Sequence, residues 1–326
     1  MSLSSAAVRD TQSHLDEPAP SGIQGRSPLR LVIARLRTDR VAIASIVVIL
    51  LVMLLAIAAP LIAGITGHGP TDTNVDSGTD ANGQPLPSGS AGYLLGTDNL
   101  GRDILVRIAY GARVSLLVGV LATAIATVVG VVVGLLAGYF GGWFDAVLGR
   151  LMDVVLSFPY VLFAIVLVSV FGPSLPLTIL VIAFFSFAAI GRIVRGQALS
   201  QREKEYVEAA HSLGAGSLRI MFVDILPNLV APVIVLATLL IPAAIIFEAT
   251  LSFLGLGVVP PTPSWGNMLS DAQGVGFQAW WFYIFPMVFL LLTTLAFNLL
   301  GDAVRDALDP RTERLFAVRR RKKKVA

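Results

Sequence analysis

Cysteine is absent from the 326 residues. Disulfides and thiolate metal sites are therefore excluded. Charge is scarce as well: 14% of the residues are charged, 55% are apolar, and the mean hydropathy is +0.79. A soluble protein this apolar lacks the polar surface to cover itself. His14, His68 and His211 are the only histidines and lie far apart in sequence, so each reads as a solitary polar residue, not a ligand. Lysine is confined to Lys204 and Lys322–Lys324, and none of these follows a glycine. A phosphate-cradling loop needs Gly-Lys followed by Ser or Thr, so the chain is not expected to bind or hydrolyse ATP. Nor is there a nucleophile elbow, or a carboxylate pair with an obvious base. The composition points to a non-catalytic polytopic membrane protein.

What is present is a series of long apolar runs. Six could each cross a hydrocarbon layer of roughly 30 Å, which takes about 20 helical residues. They fall near 41–63, 113–137, 147–170, 175–193, 229–251 and 282–301, the fourth being the least regular. The fold class expected is an all-α integral membrane protein with six transmembrane helices. Gly130, Gly134, Pro159 and Pro242 lie inside the runs, as membrane helices tolerate. Gly130, Gly134 and Gly138, spaced four apart, would let two helix backbones approach closely.

The flanks complete the division. Residues 1–27 are polar and aperiodic and read as a disordered cytoplasmic tail without a signal-peptide core. Residues 28–40, including LRLVIARLRTDR, are basic and amphipathic and suit the membrane surface. Residues 312–326 form a basic tail suited to anionic headgroups. With the N-terminus inside, every basic residue except Arg102, Arg107 and Arg113 falls on the cytoplasmic side. The positive-inside rule then puts both termini, and the 202–228 loop, in the cytoplasm. Residues 64–112 become an extracytoplasmic loop. Its first part, 64–92, is rich in turn formers and small polar residues. Its second part carries Ile104, Leu105, Ile108 and Ala109 on one helical face, with Arg102, Asp103 and Arg107 off it, and reads as an interfacial helix. Residues 113–311 make the core domain. Pro260, Pro261 and Pro263 imply a stiff outer loop, and Trp265, Trp280 and Trp281 suit an interfacial belt.

Within the membrane zone, the charges are Asp153, Glu248 and Asp302. Asp153 is within helical reach of Arg150, and Asp302 of Arg305; both suit structural roles. Glu248 fits either a helix-packing hydrogen bond or a polar group near an outer gate. In an ion-coupled secondary transporter, such carboxylates would be coupling sites.

The stretch Glu205–Asn228, EYVEAAHSLGAGSLRIMFVDILPN, separates two apolar runs yet is itself helical in pattern. Tyr206, Val207, Ala210 and Leu213 recur at helical spacing, and Gly214 is placed to stop the helix. Ser217 could cap a second helix carrying Leu218, Met221, Phe222 and Ile225 on one face, ended by Pro227. Such a pair either lies flat on lipid or packs against a soluble partner.

Glu208-Ala209-Ala210, followed by Gly214 and then Leu226-Pro227, resembles the EAA motif of ABC importer permeases. Asp224 stands where that family often has an apolar residue. LGTDNLGRDILVRIAYGARVSLLVG (95–119) resembles the signature of the C-type permease of dipeptide and oligopeptide importers. EATLSFLGLGVVPPTPSWGNMLSDA (248–272) and LAFNLLGDAVRDALDPR (295–311) resemble its late motifs, with Pro286-Met287 where the family usually shows Pro-Gly. The resemblance covers residues 30–311. It implies a type I ABC importer permease fold with cytoplasmic EAA coupling helices, in which Glu205, Glu208, Ala209, Ala210, Gly214, Leu218 and Pro227 serve ATPase coupling. It makes Gly96, Asp98, Gly101, Arg102, Asp103 and Arg113 the outer signature, and Glu248, Phe253 and Trp265 candidates for the outer gate or pathway. It also implies partners: a homologous second permease, two ABC ATPase subunits that bind the ATP and Mg, and an extracytoplasmic solute-binding protein. The chain would sit in the cytoplasmic membrane and import di- or oligopeptides; importers of nickel, glutathione or opines share the pattern.

Overall fold

The structure, a computed structural model, describes residues 35–90 and 92–308. The expectations for residues 1–27, most of 28–40, and 312–326 lie outside the described residues. Helices dominate, and among the described residues only isolated β-bridges stand in for strands. Apart from short turns at Val75–Gly78 and Gly276–Ala279, the helices among the described residues are α1 (Arg40–Thr66), α2 (Ile104–Phe140), α3 (Gly142–Ser157), α4 (Tyr160–Phe171), α5 (Leu175–Arg202), α6 (Glu205–Ser212), α7 (Ser217–Phe253), α8 (Trp265–Ala272) and α9 (Trp280–Leu308).

Local chemistry sets their ends. Asp39 caps α1 by accepting from the Val41 and Ala42 N–H groups, and Asp103 caps α2 in the same way through Leu105 and Val106. Each carboxylate satisfies donors that the first helical turn leaves without partners. α2 runs for 37 residues with no break at residue 113, so the expected interfacial helix is instead the first turns of a spanning helix.

Among the described residues, five helices are long and apolar enough to cross a membrane, or six if the bent pair α3–α4 counts as one span. The third expected span, 147–170, is not one straight helix. α3 and α4 meet at an 86° bend. Phe158 precedes Pro159, and the proline ring pushes that residue out of the helical region, to φ −82° and ψ 134°. The fourth run, expected to be the least regular, is in fact the unbroken 28-residue α5. It is also the central helix: 56% of its apolar stretch is buried, against 33% or less in the other four.

α2 packs backbone to backbone on α5. A Cβ on Gly130 would sit 2.7 Å from the Phe187 carbonyl, one on Gly134 2.4 Å from the Gly191 carbonyl, and one on Gly138 2.6 Å from Ala198 Cβ. The four-residue spacing therefore does what the sequence suggests: small residues let the two axes close up, and dispersion contacts hold them. Below this seam, Leu135, Tyr139, Met152, Val155, Ile190, Val194, Val207, Met221 and Ile225 form one apolar cluster at the α6 end of the bundle. At the other end Ile104, Ile108, Met268, Trp281 and Phe282 form another. The remaining apolar faces of α1, α2, α3 and α7 are exposed, Leu50, Leu54, Ile57, Val128 and Val154 among them. Faces of that extent are stable only against lipid or another membrane subunit.

Both ends of the described chain lie on the side of α6. Arg35 Nη1 donates to the Ala307 carbonyl at 2.8 Å, at the last turn of α9. Arg305 and Leu308 of that turn share a groove with Gln197 and Ala231, close to where the α5–α7 connection begins and ends.

Candidate functional site

The connection between α5 and α7 projects from one end of the bundle. α6 stops in a Schellman turn: Gly214 N–H donates to the His211 carbonyl at 2.9 Å and Ala215 N–H to the Ala210 carbonyl at 3.0 Å. The turn needs a left-handed residue, and Gly214 has φ +82°. A Cβ there would meet nothing within 4 Å, so the penalty of a side chain is conformational and the space around the turn is open. Leu213 and Leu218, on either side, are 88% and 68% exposed.

Other residues of the stretch correct the sequence reading. Leu218, Met221, Phe222 and Ile225 do not share one face. Met221 and Ile225 are fully buried, while Leu218 and Phe222 point outward. The cause is a π-helical turn at Ile220–Ile225, closed by the Leu226 N–H on the Met221 carbonyl, which shifts the angular spacing of the side chains. Pro227 does not end the helix. It sits just past the π turn, at the start of the regular part of α7, where its missing N–H is tolerated. Ser217 makes no capping hydrogen bond, and Gly216 occupies that position. Glu205 and Glu208 lie in the first turn of α6 and are exposed. The Glu208 carboxylate makes no hydrogen bond among the described residues. It borders a cavity of about 560 Å³ with Tyr139, Phe140, Arg202 and His211. Ala209 is exposed; Ala210 is half-buried against the cluster under the loop. Tyr206 hydrogen-bonds Gln201 Oε1 at 2.8 Å and accepts from Asn228 Nδ2 at 3.3 Å. Burial raises its hydroxyl above the ordinary tyrosine value, and the nearby Asp224 charge adds to that, against the Asn228 hydrogen bond.

The opposite end is polar but closed. Asp98, Arg102 and Arg107 are buried. Arg102 Nε lies 2.5 Å from Asp98 Oδ2, and Arg102 Nη2 is 3.1 Å from Asp271 Oδ2. Arg107 Nε is 3.3 Å from Asp98, and Arg107 Nη1 donates to the Pro70 carbonyl at 3.2 Å. Two cations and two carboxylates balance, which makes burial of the group tolerable. Arg107, off the face of Ile104 and Ile108, is nonetheless buried inside the packed end. Asp103, besides capping α2, pairs with His68, which stacks on Tyr93. Gly101 adopts φ +70° where a Cβ would be 2.3 Å from the Asn74 carbonyl. Gly96 is closed over by Trp281 and the Leu86 carbonyl. Arg113 takes no part in this cluster. It donates to the Ala56 and Ile57 carbonyls of α1 and lies over the Tyr110 ring.

Glu248 is wholly buried. It accepts from Ser115 Oγ of α2 at 2.8 Å and from Ser252 Oγ at 2.7 Å, and Ser252 in turn accepts the Val258 N–H. Of its two readings, the geometry is that of the packing hydrogen bond. Trp265 and Trp281 do not form an interfacial belt. Both are buried, their indole N–H groups on the Ile108 and Thr97 carbonyls; Trp280 alone of the three is open, at 54% exposure. Phe253 is half-buried at the last turn of α7. Asp153 pairs with Arg192, not Arg150, and Asp145 pairs with Arg195, so two acidic residues of α3 clasp α5. Asp302 makes no ion pair with Arg305 among the described residues. His68 is not the solitary residue expected, since it pairs with Asp103, and the pairings of Asp271, His68 and Ser115 are not legible in the sequence because only the fold joins partners tens of residues apart.

An apolar bundle of long helices, closed at one end and presenting a helical loop at the other, has the build of a membrane-embedded subunit. Residues 130–314 match the family described as binding-protein-dependent transport system inner membrane component. Residues 27–85 match the N-terminal TM domain of oligopeptide transport permease C. Oligopeptide transport system permease protein OppC of Salmonella typhimurium is 44% identical over 89% of this chain and 93% of its own. Dipeptide transport system permease protein DppC of Escherichia coli K12 is 52% identical over 68% of this chain and 74% of its own. The chain belongs to the binding-protein-dependent transport system inner membrane component family. Among solved structures, a chain of the inward-facing MetNI methionine ABC transporter superposes with a TM-score of 0.50 at 18% identity, covering 62% of this chain and 96% of that one. At that identity the likeness speaks for the fold alone; together with the family match, it makes this a type I importer permease bundle.

Proposed function

We propose that this chain is a permease subunit of an ATP-driven importer that moves di- or oligopeptides across the cytoplasmic membrane by alternating access. It pairs with a homologous second permease, takes its energy from two ATPase subunits on the cytoplasmic side, and receives peptide from an extracytoplasmic solute-binding protein. Both termini and the α5–α7 loop face the cytoplasm. The observation that carries the reading is the loop itself: Leu213 and Leu218 stand exposed around an open left-handed turn, away from the apolar bundle. Exposed apolar side chains on a rigid turn at the aqueous side call for a soluble partner. The peptide transport relatives support di- or oligopeptides as the substrate class.

The energetics follow from linkage. ATP closes the ATPase pair only if it binds the closed state better than the open one. Movement of the docked loops then rocks the bundles so that the cavity opens outward, and hydrolysis resets it. Reconstitution of the four membrane and ATPase subunits with the binding protein in liposomes tests this. Peptide uptake is expected to require ATP and to survive ionophores. Uptake that follows an ion gradient without ATPase subunits would instead establish a secondary carrier.

A further inference from the structure

The attachment of α6 to the bundle is thin. Of its eight residues only Val207 is fully buried, with Ala210 half-buried beside it against the cluster. An apolar contact of that size is non-directional and permits sliding. Directional contacts come from two phenols. Tyr139, at the end of α2, shares a hydrogen bond with His211 Nε2 at 3.3 Å, with rings stacked at 11° and centroids 6.2 Å apart. Its backbone carbonyl is held by Arg202 Nη1 of α5 at 3.0 Å. Tyr206, on α6 itself, donates to Gln201 of α5 and accepts from Asn228 of α7. α6 is thereby tied to three spanning helices by side-chain hydroxyls placed on different sides of it.

We propose that Tyr139 and Tyr206 are positioning residues that carry displacement of α6 into α2, α5 and α7. The inference rests on the loop being the ATPase-docking element. Docking moves α6 as a body. An apolar contact made by Val207 and the half-buried Ala210 would let the helix slip over the cluster, whereas the two hydroxyls, each with a fixed partner, convert the movement into a pull on the helix ends. Arg202 stiffens the Tyr139 side, because the carbonyl it holds belongs to the last turn of α2.

The test uses the full transporter with Tyr139→Phe, Tyr206→Phe and the double variant, which remove the hydroxyls and keep the rings. Membrane abundance, co-purification of the ATPase subunits, ATP hydrolysis and peptide uptake are measured together. Each single change is expected to lower peptide transported per ATP by roughly fivefold, the equivalent of one hydrogen bond at about 1 kcal/mol, with hydrolysis and co-purification retained. His211→Leu should behave like Tyr139→Phe, and His211→Gln should recover part of the loss. A double Phe variant that keeps the unmodified transport-to-hydrolysis ratio would overturn the proposal. An unmodified complex without ATPase subunits would overturn the docking reading, and this inference with it.

Discussion

Pro60 and Arg113 are the pair on which a sharp prediction rests. Pro60 lies inside α1 and has no N–H to give, so the Ala56 carbonyl four residues back loses its helical partner. Arg113 of α2 reaches across and donates its Nε to that carbonyl, and its Nη2 to the Ile57 carbonyl at 3.0 Å. A buried carbonyl left without a donor costs about 1–3 kcal/mol. Arg113→Ala is therefore expected to weaken the seating of α1 on the bundle by about 2 kcal/mol. In a Pro60→Ala background the backbone N–H that the substitution restores closes the missing bond. The same Arg113 removal should then cost about 1 kcal/mol less, which is the coupling between the two sites. The cycle is needed because removing an arginine near lipid also removes its desolvation cost, a term that cancels between the two backgrounds. Unfolding of the four variants in mixed micelles, followed by tryptophan fluorescence as the denaturing detergent is raised, gives the four free energies. Losses that add to within about 0.3–0.5 kcal/mol would refute the reasoning.

Gly134→Ala should force α2 from α5, since the added Cβ meets the Gly191 carbonyl at 2.4 Å; a loss of about 1–3 kcal/mol is expected in the same unfolding assay. Glu248→Leu leaves the Ser115 and Ser252 hydroxyls buried without their acceptor and should cost about 1–3 kcal/mol, whereas Glu248→Gln, which keeps an acceptor, should cost less. Equal losses would argue against the hydrogen-bonded role. A protease site inserted within residues 70–90 should be cut from outside intact cells, and one within 315–324 only after permeabilisation; cleavage of the tail in intact cells would reverse the orientation.

Much of the bundle was legible because hydropathy and glycine spacing act locally. The runs that became α1, α2, α5, α7 and α9 are apolar enough to be found without any contact information, and Gly130, Gly134 and Gly138 announced the tight seam. The bend at Phe158-Pro159 was written in the sequence too, but continuous apolarity on both sides concealed it, and a proline inside α1 or α9 causes no such break. Side-chain direction around Ile220–Ile225 was not legible: a π turn changes the period, and periodicity assumes an unbroken one. Nor were Trp265 and Trp281. Amphipathic rings suit an interface, and only the fold provides the Ile108 and Thr97 carbonyls that let them be buried. The Asp98, Arg102, Arg107 and Asp271 group escaped for a similar reason, since Asp271 belongs to α8 and no spacing rule reaches across 169 residues. The left-handed conformation of Gly214 was legible, because a helix stop at that point asks for a residue that can adopt it.

The central claim is that this loop couples the bundle to an ATPase, and Gly214→Asp tests it most directly. The substitution touches no spanning helix, strains a backbone at φ +82° and places a carboxylate where the docking partner must approach. At matched membrane abundance, peptide uptake and co-purification of the ATPase subunits are measured side by side. The account predicts normal insertion with uptake lost and co-purification weakened; normal uptake would contradict it.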